Sequence, residues 1–84
     1  MITIYNPKGV CSRLMEIETE NGIIKRVSFK GGCNGNLQGI ASLVADMPID
    51  EAAKRLRGIR CGMKNTSCPD QLARALESIL EDEN

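Results

Sequence analysis

Residues 12–30 read Ser12-Arg13-Leu14-Met15-Glu16-Ile17-Glu18-Thr19-Glu20-Asn21-Gly22-Ile23-Ile24-Lys25-Arg26-Val27-Ser28-Phe29-Lys30. Apolar and charged side chains alternate on both sides of Asn21-Gly22, the pattern of two strands that each bury one face. Asn-Gly ordinarily marks a tight hairpin turn closed by those residues alone. That register sets Met15 and Ile17 on the same face as Ser28 and Arg26, so the apolar sets of the two strands point opposite ways. A longer loop of Glu20, Asn21 and Gly22, with Gly22 left-handed, places Met15 opposite Val27, Thr19 opposite Ile23 and Glu16 opposite Arg26. One face is then apolar and the other charged, as a half-buried antiparallel sheet requires. The expected hairpin therefore runs from Ser12 to Thr19 and from Ile23 to Lys30, closed by the longer loop.

Working outward, residues 2–5 alternate loosely as a short strand that ends at the turn-forming Asn6-Pro7-Lys8-Gly9. Downstream, the period changes. Leu37, Ile40, Ala41 and Val44 fall at i, i+3, i+4 and i+7, one face of a helix. Met47-Pro48 interrupts it. A second helix starts at Pro48 or Asp50, carries Ile49, Ala52, Ala53 and Leu56, and stops at Gly58. A loop from Ile59 to Thr66 leads to a last helix with Leu72, Leu76, Ile79 and Leu80 on one side and a frayed Glu81-Asp82-Glu83-Asn84 tail. Its start, Thr66-Ser67-Cys68-Pro69-Asp70, collects cap hydroxyls, a first-turn proline and an acid. The fold class is α+β: a small antiparallel sheet of two to three strands, then three helices packed on one face.

The chain has 84 residues, enough for one domain, 1–84, and no more. Apolar residues make up 42%, sufficient for a core, yet Tyr5 and Phe29 are the only aromatic side chains. So small a domain buries little surface and leans on metal, disulfides or oligomerisation. Eleven basic and eleven acidic residues cancel, which argues against nonspecific binding to nucleic acid or anionic membrane. The longest weakly polar run, Gly39 to Ala45, is far below the ~20 residues of a membrane span. With no export signal visible at the N-terminus, the expected compartment is the cytosol.

The compartment gives the cysteines their meaning. Cys11, Cys33, Cys61 and Cys68 are the four thiols, and there is no histidine. In a reducing cytosol such a set more often holds metal or does thiol chemistry than forms stable disulfides. No Cys-x-x-Cys pair occurs, so a shared site must be assembled by the fold. None of the four is expected inside an element. Cys11 precedes the first long strand, Cys33 follows the second, Cys61 sits in the Ile59–Thr66 loop and Cys68 opens the last helix. Strand ends and helix starts can meet at one edge of such a fold, and glycines beside Cys33 and Cys61 permit tight metal-holding loops. The helix starts after Cys33 and at Cys68 also suit anionic ligands.

The pentad Thr66-Ser67-Cys68-Pro69-Asp70, with Gly31-Gly32-Cys33 ahead of a helix and Cys61-Gly62 in the middle loop, resembles the TSCPD domain family along essentially the whole chain. Relatives of that domain form C-terminal parts of cobalamin-dependent ribonucleotide reductases. The resemblance implies a cysteine metal site and a tie to ribonucleotide reduction. The chain is also similar to U-type iron–sulfur cluster scaffold proteins. A cysteine at a strand edge (Cys11) precedes a hairpin whose return strand is Gly22 to Lys30; Gly32-Cys33, a small-residue helix with Ile40-Ala41-Ser42-Leu43-Val44, a segment Ile49-Asp50-Glu51-Ala52-Ala53, and Cys68 at the final helix follow. In that likeness Cys11, Cys33 and Cys68 hold the cluster. Arg13 and Ser67 stand where that family has an acid and a histidine, and Cys61 is added. The set implies a closed site of four thiolates, which reads as structural zinc or a firmly held iron–sulfur cluster more than as a delivery platform.

Other patterns carry less. Gly31-Gly32-Cys33-Asn34-Gly35-Asn36 precedes a helix but lacks the Gly-Lys-Ser/Thr ending of a phosphate loop. Lys54, Arg55, Arg57, Arg60 and Lys64 read as a solvated basic face, and as a dock for an acidic protein partner or a reductase if they bind anything. Without histidine there is no Ser–His–Asp or Cys–His set, and no carboxylate pair marks a catalytic pocket, so this chain is not expected to be a catalyst alone. The expected function is a metal-binding module in which Cys11, Cys33, Cys61 and Cys68 hold zinc or an iron–sulfur cluster, accessory to a protein partner. The alternative is a thiol/disulfide redox partner of a ribonucleotide reductase.

Overall fold

A computed structural model describes residues 1–10, 12–31 and 34–83 of the chain. Its elements are β1 (Ile2–Tyr5), β2 (Ser12–Glu20), β3 (Ile23–Gly31), α1 (Asn34–Val44), α2 (Ile49–Leu56) and α3 (Cys68–Glu83). The strands form one antiparallel meander in the order β1-β2-β3. The class is α+β, a three-stranded sheet followed by three helices. The last helix continues through Glu81, Asp82 and Glu83, where the sequence pattern had read a frayed tail.

The hairpin corrects the expected loop. Asn21 and Gly22 both have positive φ, 53° and 78°, the backbone that a tight type I′ turn demands. Thr19 pairs with Ile24 and Glu20 with Ile23, so Asn21-Gly22 alone closes the hairpin. The face conflict of that register is resolved one step later. Glu18 pairs with Arg26, leaving Lys25 as an extra residue in β3. This bulge shifts the parity of the rest of the ladder. Beyond it Ile17 faces Val27 and Met15 faces Phe29, and the apolar sets share one side after all. On the other side Arg26 reaches Glu16 at 2.9 Å and Glu18 at 3.6 Å.

Met15, Ile17, Ile24 and Val27 on that side join Leu37 and Val44 of α1, Ile49, Ala52 and Ala53 of α2, and Leu72, Leu76 and Ile79 of α3 in one buried cluster. These are the helix faces that the apolar spacing marks. The segment after α1 also finishes the sheet. Ile24 donates its N–H to the Met47 carbonyl at 2.9 Å and accepts from Asp46 at 2.7 Å, and Ile49 donates to the Gly22 carbonyl at 2.9 Å. Part of the β3 edge is thereby paired rather than left open. Among the described residues no helix is long and apolar enough to cross a membrane.

Candidate metal centre

A second bulge sits at the other end of β2. Leu14 pairs with Lys30 but Ser12 pairs with Gly31, so Arg13 is the extra residue. Without it Ser12 would share the outer face with Leu14. With it Ser12 turns inward, is 2% exposed, and shares a hydrogen bond with the Cys68 thiol at 3.3 Å. Bulges re-aim side chains in this way near functional sites.

Cys68 is the first residue of α3 and is buried, at 8% exposure. Ser67 caps the helix: its hydroxyl accepts the Asp70 N–H at 3.1 Å, the position-N3 donor that a cap satisfies. The same hydroxyl donates to the Ile59 carbonyl at 2.6 Å. Asp70 does not close a capping box back onto Ser67. Its carboxylate instead accepts the Gly58 N–H at 2.7 Å, the Thr66 hydroxyl, and Arg74 Nε at 3.1 Å. Burial by itself would push the Asp70 pKa up; the hydrogen bonds from Thr66, Gly58 and Arg74, with the Arg74 charge, outweigh burial and hold it below the ordinary carboxylate range. Its oxygens are committed to these donors, so Asp70 builds the site and is not a spare ligand.

These bonds pin both ends of the loop that carries Cys61. Gly58 and Ile59 are held at its start, Thr66 and Ser67 at its end. Within it, Cys61 donates its N–H to the Thr66 carbonyl at 3.2 Å and accepts from Lys64 N–H at 3.1 Å. Gly62, with φ of 58°, allows that fold-back. Cys61 is exposed, and Cys61 and Cys68 are both free thiols. They open on one mostly apolar cavity of about 420 Å³, bounded by Leu37 and Ile40 of α1, Ile59 and Arg60 of the loop, and Pro69 of α3.

Of the four cysteines read as ligands, the structure thus brings Cys61 and Cys68 to one cavity. Cys11 and Cys33 lie outside the described residues. Among the described residues no group of three or more Cys, Asp or Glu side chains is arranged to hold a metal ion. The neighbours of the other two cysteines in sequence do converge here. Ser12 touches Cys68, Gly31 pairs with Ser12, and the first turns of α1, which follow Cys33, supply Asn36 and Leu37 to the cavity wall. Two contributors escape a reading of the sequence. Ser12 becomes an inner residue only through the Arg13 bulge. Gln71, three residues beyond Cys68 on α3, bonds to Tyr5, Lys8 and Thr66, and that spacing is the one signal that the sequence held. The basic residues Lys54, Arg55, Arg57, Arg60 and Lys64 are exposed; Arg55 pairs with Glu51 at 2.8 Å and Arg57 with Glu77 at 2.7 Å.

No curated protein and no solved structure matches the chain. The family model of the TSCPD domain matches residues 3–80, from β1 through nearly all of α3. The latch built by Thr66, Ser67 and Asp70 around Cys68 lies within that match, and the chain belongs to the TSCPD domain family.

Proposed function

We propose that this chain is a metal-binding module in which Cys11, Cys33, Cys61 and Cys68 hold one ion or cluster, with zinc the leading occupant and an iron–sulfur cluster the alternative. The observation that carries the proposal is the shared cavity. Two unpaired thiols from separate segments face it, and the chain neighbours of the other two cysteines, Ser12, Gly31 and the start of α1, stand at the same edge. The donor set fits the group. Thiolates are the preferred ligands of structural zinc and of iron–sulfur clusters alike. The Ser12 hydroxyl is placed as the outer-sphere hydrogen bond that orients such a ligand. Zinc with four thiolates carries a net negative charge, which Arg60 at the cavity wall would offset. When bound, the metal would supply cross-links that a core this small lacks.

The mouth of the cavity is also where a partner would meet the site. In the same loop Met63 is fully exposed, and Ile59, Arg60 and Lys64 are exposed as well, so the loop offers apolar and cationic side chains. Such a surface suits an acidic protein; a ribonucleotide reductase is the partner that the family resemblance supplies. Free thiols beside that mouth fit a reducing cytosol.

The test is elemental analysis with an ultraviolet–visible spectrum on untagged protein purified without oxygen, repeated for four single Cys→Ser variants. One zinc per chain without colour, or iron and sulfide with visible absorption, is expected for the wild type, with sharply lower occupancy in each variant. Full occupancy in three of the variants would refute a four-cysteine site. Metal-free protein whose thiols cycle between dithiol and disulfide would favour the redox reading.

A further inference from the structure

Gln71 is 6% exposed, and every polar atom of its carboxamide is engaged. Its oxygen accepts the Tyr5 hydroxyl at 3.2 Å and the Lys8 N–H at 3.1 Å. Its nitrogen donates to the Thr66 hydroxyl at 3.0 Å, and that hydroxyl in turn donates to the Asp70 carboxylate. A buried carboxamide is costly unless satisfied, so this one dictates which segments meet it. The partners are the end of β1, the connection toward Cys11, and the last residue of the Cys61 loop. Gly9, with φ of 74°, lies so close to Thr66 that a β-carbon there would sit 3.4 Å from its methyl group.

From these contacts we infer that Gln71 is a positioning residue for the metal site proposed above, acting by setting the segment that leads into Cys11. Cys11 is bracketed in sequence by two fastenings to the first turn of α3. On one side Lys8 is bonded to Gln71, and on the other Ser12 is bonded to Cys68. Those two helix residues are three apart, on one face. Gln71 therefore registers the Cys11 segment against the helix that presents Cys68. Through Thr66 it also registers that segment against the Cys61 loop. Misplacing one ligand by about an ångström is enough to weaken a preorganised site.

The inference rests on the four-cysteine reading, and a double-mutant cycle separates the two. Cobalt(II) affinity and thiolate-to-cobalt charge-transfer absorption are measured for wild type, Gln71→Leu, Cys11→Ser and the double variant, with a thermal melt of each metal-free protein. Loss of a group bonded directly to a ligand typically costs about 10–100-fold in metal affinity, and Gln71, one bond further out, is placed at the low end, about 10-fold. The expected result is that Gln71→Leu loses that much and shows a weakened charge-transfer band, while in the Cys11→Ser background it costs under about threefold, because the ligand it positions is gone. An equal loss in both backgrounds would overturn the inference and make Gln71 merely structural. So would unchanged affinity in Gln71→Leu. Should Gln71→Leu fail to fold, Tyr5→Phe removes one of the bonds to the same oxygen, and the same cycle with a smaller drop decides. If the wild type binds no cobalt, or Cys11→Ser binds it undiminished, the four-cysteine reading is what has failed.

Discussion

Asp70→Asn is the sharpest test of how this site is built. The two oxygens of the Asp70 carboxylate accept three donors, with the side chain only 1% exposed. In the variant the remaining oxygen can keep the Gly58 N–H, as Oδ1 does now at 2.7 Å. The new amide nitrogen then replaces Oδ2 and faces two donors, the Thr66 hydroxyl and Arg74 Nε. Arg74 is 51% exposed and can turn to water, so its pairing contributes at most about 1 kcal/mol. Thr66 cannot escape so cheaply, because it also accepts from Gln71. Losing its charge-assisted bond costs about 1.5–3 kcal/mol. The sum is about 2–4 kcal/mol, or a Tm lower by roughly 10–25 °C for a domain this size. The assay is thermal unfolding by circular dichroism at pH 7 and then down to about pH 2.5. The folded pKa of Asp70 lies below its unfolded value, so the unfolded chain takes up the proton first as pH falls. The carboxylate contribution is therefore complete above the ordinary Asp pKa of about 3.9 and is lost as pH drops through the depressed folded value. The gap between wild type and variant should close over that acid range. A Tm difference under about 2 °C at pH 7, or a large one that persists unchanged into acid, would refute the latch.

Ser67→Ala removes both the cap on Asp70 N–H and the bond to the Ile59 carbonyl; urea denaturation should show about 1–2 kcal/mol of lost stability. Thr19→Val should be neutral or stabilising by up to about 1 kcal/mol in the same assay, since the buried Thr19 hydroxyl has no hydrogen-bond partner among the described residues. Gly22→Ala should cost about 1–2 kcal/mol although the site has open space around it, because φ there is 78° and the penalty is conformational. Arg26→Ala should change stability by under about 1 kcal/mol despite two carboxylates nearby, because the guanidinium is 56% exposed and water screens the pairs.

The hairpin illustrates where sequence reasoning works and where it breaks. Alternation marks Met15, Ile17 and Val27 as core-facing, because burial acts on each strand separately, but it set Ile23 opposite Thr19 where the structure places the fully buried Ile24. It chose the wrong turn because one added residue restores parity equally well in the loop or in the ladder. Type I′ geometry is favourable for Asn21-Gly22, so the extra residue went to Lys25 instead. The pentad was legible as a helix start, since cap chemistry is local. That Asp70 would turn from the cap to Gly58, Thr66 and Arg74 was not legible, because Gly58 is twelve residues away in sequence.

Composition and spacing by themselves determined the class, the apolar faces of all three helices, the loop setting of Cys61 and the helix-start setting of Cys68. Each follows from local preferences: period, caps, turn residues. Only the tertiary structure decided that Cys61 and Cys68 share a cavity, that Ser12 turns inward at the Arg13 bulge to meet Cys68, and that Gln71 ties the Tyr5–Lys8 segment to the same helix. The hydrogen bonds among these join residues 56, 66 and 63 positions apart. They exist because buried polar groups must find partners wherever the packed chain brings them, a condition that no local pattern encodes.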